Sequence, residues 1–166
     1  MWSPDLRPPA GLGRRAALVA MLVLAGCGLQ PVYGPDGAGA RLHGQVRIAD
    51  PRTADDYAFL RQLTDRLGPD QDPRYALDYR LRIAVVRQAI TPDEITTRYS
   101  LNGTAAYTLT DTASGAVVTS GEVSNFTSHS TVGSVVATTA AEQDARNRLA
   151  VMLADQVVTR LLAAVP

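Results

Sequence analysis

Tyr75-Ala-Leu-Asp-Tyr-Arg-Leu-Arg-Ile-Ala-Val85 is the stretch that decides the fold. Tyr75, Leu77, Tyr79, Leu81, Ile83 and Val85 take every second position, and Asp78, Arg80 and Arg82 fall between them. Successive side chains of a strand point to opposite faces, so this period predicts one long strand with an apolar face and a wet or partner-facing face. Arg98 to Thr110 repeats the pattern, with Tyr99, Leu101, Ala105, Tyr107 and Leu109 inward and Ser100, Asn102, Thr104, Thr108 and Thr110 outward. Asp111 to Gly115 is a polar turn, and Ala116 to Thr127 returns as the next strand, which makes a hairpin.

Helical periods flank this strand region. Thr53 to Leu67 begins with a capping threonine and with Asp55 and Asp56 where the helix dipole favours anions. Its Tyr57, Leu60, Leu63 and Leu67 recur at spacings of three and four, and Gly68-Pro69 ends it. A serine-, threonine- and glycine-rich stretch from Thr127 to Thr139 predicts a loop. Ala140 to Ala164 then reads as a long helix, with Leu149, Ala150, Leu153, Ala154, Val157 and Leu161 on one side and Asp144, Arg148, Asp155 and Thr159 on the other. Ahead of the first helix, Leu42 to Ile48 predicts a short strand carrying Leu42, Gly44, Val46 and Ile48 on one face. The order strand, helix, three strands, helix predicts an α+β fold: a two-layer sandwich with a four-stranded, mostly antiparallel sheet and two helices packed on one face.

The start of the chain has a different character. Residues 1–15 carry Arg7, Arg14 and Arg15 with Pro4, Pro8, Pro9 and Gly11, and an apolar run from Ala16 to Ala25 follows. Ten residues are too few for a span, which needs roughly 20. A charged region followed by a short apolar run is the pattern of an export signal. Leu24-Ala25-Gly26-Cys27 then matches the lipobox of bacterial lipoproteins, where small residues fit a narrow protease pocket and the cysteine is acylated to become the new N-terminus. The expected organisation is a signal peptide over 1–26, an acylated N-terminus and flexible tether over 27–41, and a single α+β domain over 42–166. Pro31, Gly34, Pro35, Gly37 and Gly39 mark the tether. Gly28 stands where aspartate is the best-known inner-membrane retention signal, which favours the outer membrane, with the domain facing the periplasm.

Composition narrows the function further. The 166 residues hold 16 basic and 16 acidic groups, and all the basic ones are arginine. Loss of Arg7, Arg14, Arg15 and Asp5 with the signal leaves 13 basic against 15 acidic, a net charge near −2 that argues against nucleic acid. Cys27 is the single cysteine, so no intrachain disulfide forms. His43 and His129 are too few for a histidine metal cluster and read as surface or loop residues. Ser114-Gly115 and Ser120-Gly121 lack the strand-turn-helix setting of a nucleophile elbow. Asp55-Asp56 is explained by helix-start electrostatics. No catalytic residue, metal ligand or cofactor is expected, and the chain does not read as an enzyme. What stands out is the outer face of the long strands, where Arg80, Arg82 and Arg98 sit among hydroxyl side chains. Such a face suits a polar protein wall or anionic glycolipid phosphates.

Cys27-Gly28-Leu29-Gln30-Pro31-Val32-Tyr33-Gly34 resembles the mature start of the LptE-type lipoproteins, the lipopolysaccharide-assembly family, with Val32 where leucine is more usual. The layout downstream is consistent with that family. The resemblance implies a non-enzymatic partner of the outer-membrane β-barrel that translocates lipopolysaccharide, one that plugs the barrel, helps it assemble and binds lipopolysaccharide. It implies Cys27 as the lipid attachment site and membrane association through that anchor. The lipopolysaccharide or partner surface at Arg80, Arg82 and Arg98 is read from charge and facing instead. The competing expectation is an envelope ligand-binding or transporter-accessory lipoprotein that works without a barrel.

Overall fold

The structure is a computed structural model that describes Gly34 and residues 37–90, 96–131 and 133–165. The elements are α1 (Ala38–Leu42), β1 (Val46–Ile48), α2 (Ala54–Leu67), β2 (Tyr75–Ile90), β3 (Thr96–Asp111), β4 (Val117–Ser130) and α3 (Val135–Ala164). The expected signal over 1–26, with Leu24, Ala25 and Gly26 of the expected lipobox, and Cys27 lie outside the described residues. No helix among the described residues is long and apolar enough to cross a membrane.

The sheet has the order β1-β2-β3-β4, with β2, β3 and β4 antiparallel and β1 parallel to β2. Alternation sets its register. Leu77 pairs with Leu109, Leu81 with Ala105 and Val85 with Leu101, and Ala105 pairs onward with Val123. A one-residue slip would turn all of these apolar groups to the other face, so the burial pattern locks the pairing. The two longer helices, α2 and α3, cover that face. Phe59, Leu63 and Leu67 of α2 meet Leu149, Leu153, Val157 and Leu161 of α3 in one core with Leu77, Leu101, Ala105 and Leu109 of the sheet. The expected α+β sandwich is the fold observed.

Gly103 decides how closely α3 approaches. A Cβ added there would sit 2.8 Å from Leu153 Cδ1 and 3.0 Å from Leu149 Cδ2, so two leucines of the helix rest on bare β3 backbone.

The start of α2 is a reciprocal cap. Thr53 Oγ1 accepts from the Asp56 amide at 3.3 Å, and Asp56 Oδ2 accepts from the amides of Thr53 at 2.8 Å and Arg52 at 2.9 Å. Asp56 is buried, which suits its three bonds. Asp56→Ala strands two amides and is expected to cost about 1–2 kcal/mol in urea unfolding, at the level of a lost cap. At the other end Gly68 has φ +78°, and its missing Cβ is where the His43 ring lies, 2.7 Å away. Only glycine meets both conditions.

Asp111 organises the β3–β4 turn. Its carboxylate accepts from the Ala113 and Ser114 amides, both at 3.0 Å, and from Ser114 Oγ at 3.1 Å, and it pairs with Arg74 at 3.2 Å. The Ser114 amide first, then Arg74, hold its pKa below the usual carboxylate range.

Several local expectations are corrected. The strand expected over 42–48 is confined to Val46–Ile48, because Ala38–Leu42 forms a short helix that places Leu42 in the core. Tyr57 is 65 % exposed, and Phe59 takes the inward place, since α2 is rotated to bring Asp56, Phe59 and Leu63 against its neighbours. The strands run on to Ile90 and Ser130, and α3 begins at Val135 with Ser134 as its cap, where a loop was expected. Ladder bonding to β3 carries a serine-rich segment that has no apolar alternation of its own. His129, read as a surface or loop residue, is a buried strand residue stacked on Tyr99 with ring centroids 5.7 Å apart.

Candidate functional site

With α2 and α3 on one side, no helix or strand among the described residues covers the other face of the sheet. Along it Arg80 is followed across the strands by Ala106 and Glu122, and Arg82 by Thr104 and Ser124. Arg80 and Arg82 are exposed, two residues apart on one strand face. Arg98 is exposed as well, but it pairs at the level of Ala89. Seven residues of strand separate that level from Arg82, about 23 Å at ~3.3 Å per residue. The structure therefore joins Arg80 to Arg82 and sets Arg98 apart. Between them the face carries Ala84, Val86 and Phe126, the last 70 % exposed.

Sequence reading missed Arg52. The segment between β1 and α2 wraps the β2 edge beyond the short β1, and Arg52 joins Arg80, Asp78, Thr108 and Ser120 around a shallow depression of about 420 Å³. No local signal marks Arg52, because its place depends on a strand that follows it by more than twenty residues. Arg47, Arg66, Arg74, Arg146 and Arg148 are tied to carboxylates. Among the described residues, Arg52, Arg80, Arg82 and Arg98 have no such partner, so their guanidinium forks are available to an anion. Arg61 and Arg160 are also unpaired, on the helices.

Tyr79 lies just beneath, on the helix side. Its ring meets Phe59 with centroids 4.9 Å apart, and its hydroxyl is buried without a hydrogen-bond partner. Burial, with Asp56 and Asp50 adding to it and Arg52 opposing, pushes its pKa up to about 12. The neutral phenol is the form the fold prefers. Stability is therefore unaffected below pH 10, where the unfolded phenol is still protonated, and falls as pH rises from 10 through about 12. Tyr79→Phe removes an unsatisfied hydroxyl, so it is expected to leave stability at pH 7 unchanged or raise it by up to about 1 kcal/mol. It should also flatten the alkaline decline, as read by urea unfolding at pH 8 and 11. A loss above ~2 kcal/mol would show that the hydroxyl has a partner.

The remaining candidate chemistry resolves into structure. Asp55 pairs with Arg146 at 3.0 Å, and Asp56 caps α2. Ser114 belongs to the Asp111 turn, and Ser120 lies on β4. Among the described residues no group of three or more His, Cys, Asp or Glu side chains is placed to hold a metal ion.

A helix-covered sheet whose other face presents unpaired arginines and hydroxyls defines an α+β domain that offers a surface. Known proteins share this architecture. A protein described as a lipoprotein from Caulobacter crescentus CB15 superposes with a TM-score of 0.64 at 22% identity, covering 78% of this chain and 96% of that one. The rare lipoprotein B of Shewanella oneidensis gives 0.55 at 9% identity, over 72% and 92%. Lipoprotein B of Nitrosomonas europaea gives 0.55 at 13% identity, over 72% and 82%. At these identities the likeness speaks for the fold alone. No curated protein matches the chain in sequence. Residues 44–161 match the LptE family of lipopolysaccharide assembly. The chain belongs to that family.

Proposed function

We propose that this chain is a non-enzymatic lipoprotein of the outer membrane. Acylated Cys27 anchors it, residues 1–26 are removed as the signal, and the segment after Cys27 tethers the folded domain on the periplasmic side. It forms a complex with the β-barrel that translocates lipopolysaccharide, supporting assembly of the barrel and insertion of lipopolysaccharide. The observation that carries this reading is the family match over residues 44–161. The bare sheet face adds to it. Arg52, Arg80 and Arg82 are suited to the phosphates of an anionic glycolipid, and Ala84, Val86 and Phe126 next to them offer apolar contact.

The test has two arms. Extraction in mild detergent is expected to bring the chain out in stoichiometric complex with a large outer-membrane protein, and depletion is expected to lower surface lipopolysaccharide. A free monomer together with normal surface lipopolysaccharide would favour the accessory lipoprotein that works without a barrel. The variant Arg80→Glu/Arg82→Glu is expected to weaken lipopolysaccharide retention about tenfold or more, by loss of charge-assisted bonds. Both positions are exposed, so its stability should change by less than about 1 kcal/mol.

A further inference from the structure

Phe126 is 70 % exposed on the sheet face away from the helices, yet everything around it there is polar. Ser124 and Ser128 stand before and after it on the same side of β4, both exposed. Asn102 of β3 is its cross-strand partner, and Ser100 and Thr104 lie on the two diagonals. Such neighbours share whatever is seated on a strand residue. The buried Ser100 hydroxyl donates to Asn102 Oδ1 at 3.3 Å, sharing its proton with the Thr127 carbonyl at 3.4 Å. That bond holds the Asn102 carboxamide in place and leaves its NH2 group to donate outward.

A polar rim round one aromatic ring selects the ligand. An acyl chain laid on Phe126 would cover serine and asparagine groups and leave their hydrogen bonds unmade, a cost that grows with each group. A sugar ring meets both parts. Its C–H groups sit on the electron-rich face of the phenyl ring, while its hydroxyls reach the rim.

Charge adds the second requirement. Arg82 heads the neighbouring row, followed across the strands by Thr104 and Ser124, and it has no carboxylate partner among the described residues. Asp78 and Glu122 both stand nearer to Arg80, in strand position or in register, so Arg82 is the guanidinium of the pair least neutralised by its surroundings. Arg82 and Phe126 are two strands and two residues apart, about 12 Å at ~4.8 Å between strands and ~3.3 Å per residue. Thr104 and Asn102 form the floor between them. The geometry points to a saccharide subsite in which Phe126 stacks on a sugar ring, Asn102 donates to its hydroxyls and Arg82 holds a phosphate carried by the same saccharide. This rests on the glycolipid reading of the face and deepens it: the occupant is the phosphorylated sugar headgroup, and the acyl chains lie elsewhere.

The test uses the full acylated chain in detergent and a water-soluble probe, a bisphosphorylated glucosamine disaccharide without acyl chains. The chain has only two phenylalanines, and Phe59 is fully buried, so magnetisation passing from a labelled phenylalanine ring to the sugar C–H protons reports on Phe126. That transfer is expected. Phe126→Leu keeps an apolar side chain but loses the flat ring, and it is expected to weaken the probe at least fivefold by calorimetry. Asn102→Ala is expected to do the same, and Phe126→Trp to restore full affinity. Both positions are exposed, so melting temperatures should not move. Inorganic phosphate alone should bind at least tenfold more weakly than the disaccharide. No binding at millimolar disaccharide, full affinity in Phe126→Leu, phosphate binding as tightly as the disaccharide, or a dimer of this chain that Phe126→Leu dissociates would each overturn the proposal. Intact lipopolysaccharide separates the two readings. Retention lost in Arg80→Glu/Arg82→Glu but unchanged in Phe126→Leu and Asn102→Ala would sink the sugar subsite and leave the glycolipid reading standing.

Discussion

Leu149→Ala is expected to remove about 3–5 kcal/mol of folding stability, the upper range for a buried leucine. Leu149 is fully buried and rests on the backbone of β3 at Gly103. The cost of a truncation depends on how far the surroundings collapse into the space left behind. Here the floor is a hydrogen-bonded strand with no side chain to swing inward, and the walls are Leu153 and the rest of α3, fixed by their own burial. The hole stays open. Leu162, half-buried on the same helix, provides the comparison, and its truncation is expected to cost less than about 2 kcal/mol. Urea unfolding of the two variants measures the difference. Equal, small losses would mean that α3 does not seat on Gly103 as described.

Cys27→Ala is expected to abolish anchoring. Each buried methylene contributes roughly 0.8 kcal/mol, so the two or three acyl chains of a mature lipoprotein hold it in the membrane far beyond reversible binding. The described domain supplies no helix that crosses a membrane, so it offers no substitute anchor of that kind. The variant should appear as uncleaved precursor or as unacylated soluble protein, with labelled palmitate absent. Palmitate on the variant, or a wild-type mature chain that begins elsewhere, would refute the assignment.

The long strands were legible because alternation is a local property. Residues 75–85 declare an apolar face whatever pairs with them, and that face is the one observed under the helices. The body of α3 was equally legible, and all six leucine, alanine and valine positions expected on its inward side are buried. The terminal stretches were not. Residues 128–130 join β4 through the ladder to β3, and Leu42 is buried from a helix too short to show a period. Tyr57 fits an apolar stripe as well as Phe59 does, and only the rotation of α2 against α3 separates them.

The candidate surface divides the same way. Alternation placed Arg80 and Arg82 on the face away from the core, and charge made them a candidate. Their separation from Arg98 could not be read, because it depends on how far β2 continues before the chain returns. Arg52 enters from a segment that turns round the sheet edge, to meet a strand more than twenty residues later. The sequence alone determined which way each strand faces, since neighbouring side chains must point to opposite sides. Tertiary structure decided which charges meet, because that depends on the packing of segments far apart in the chain.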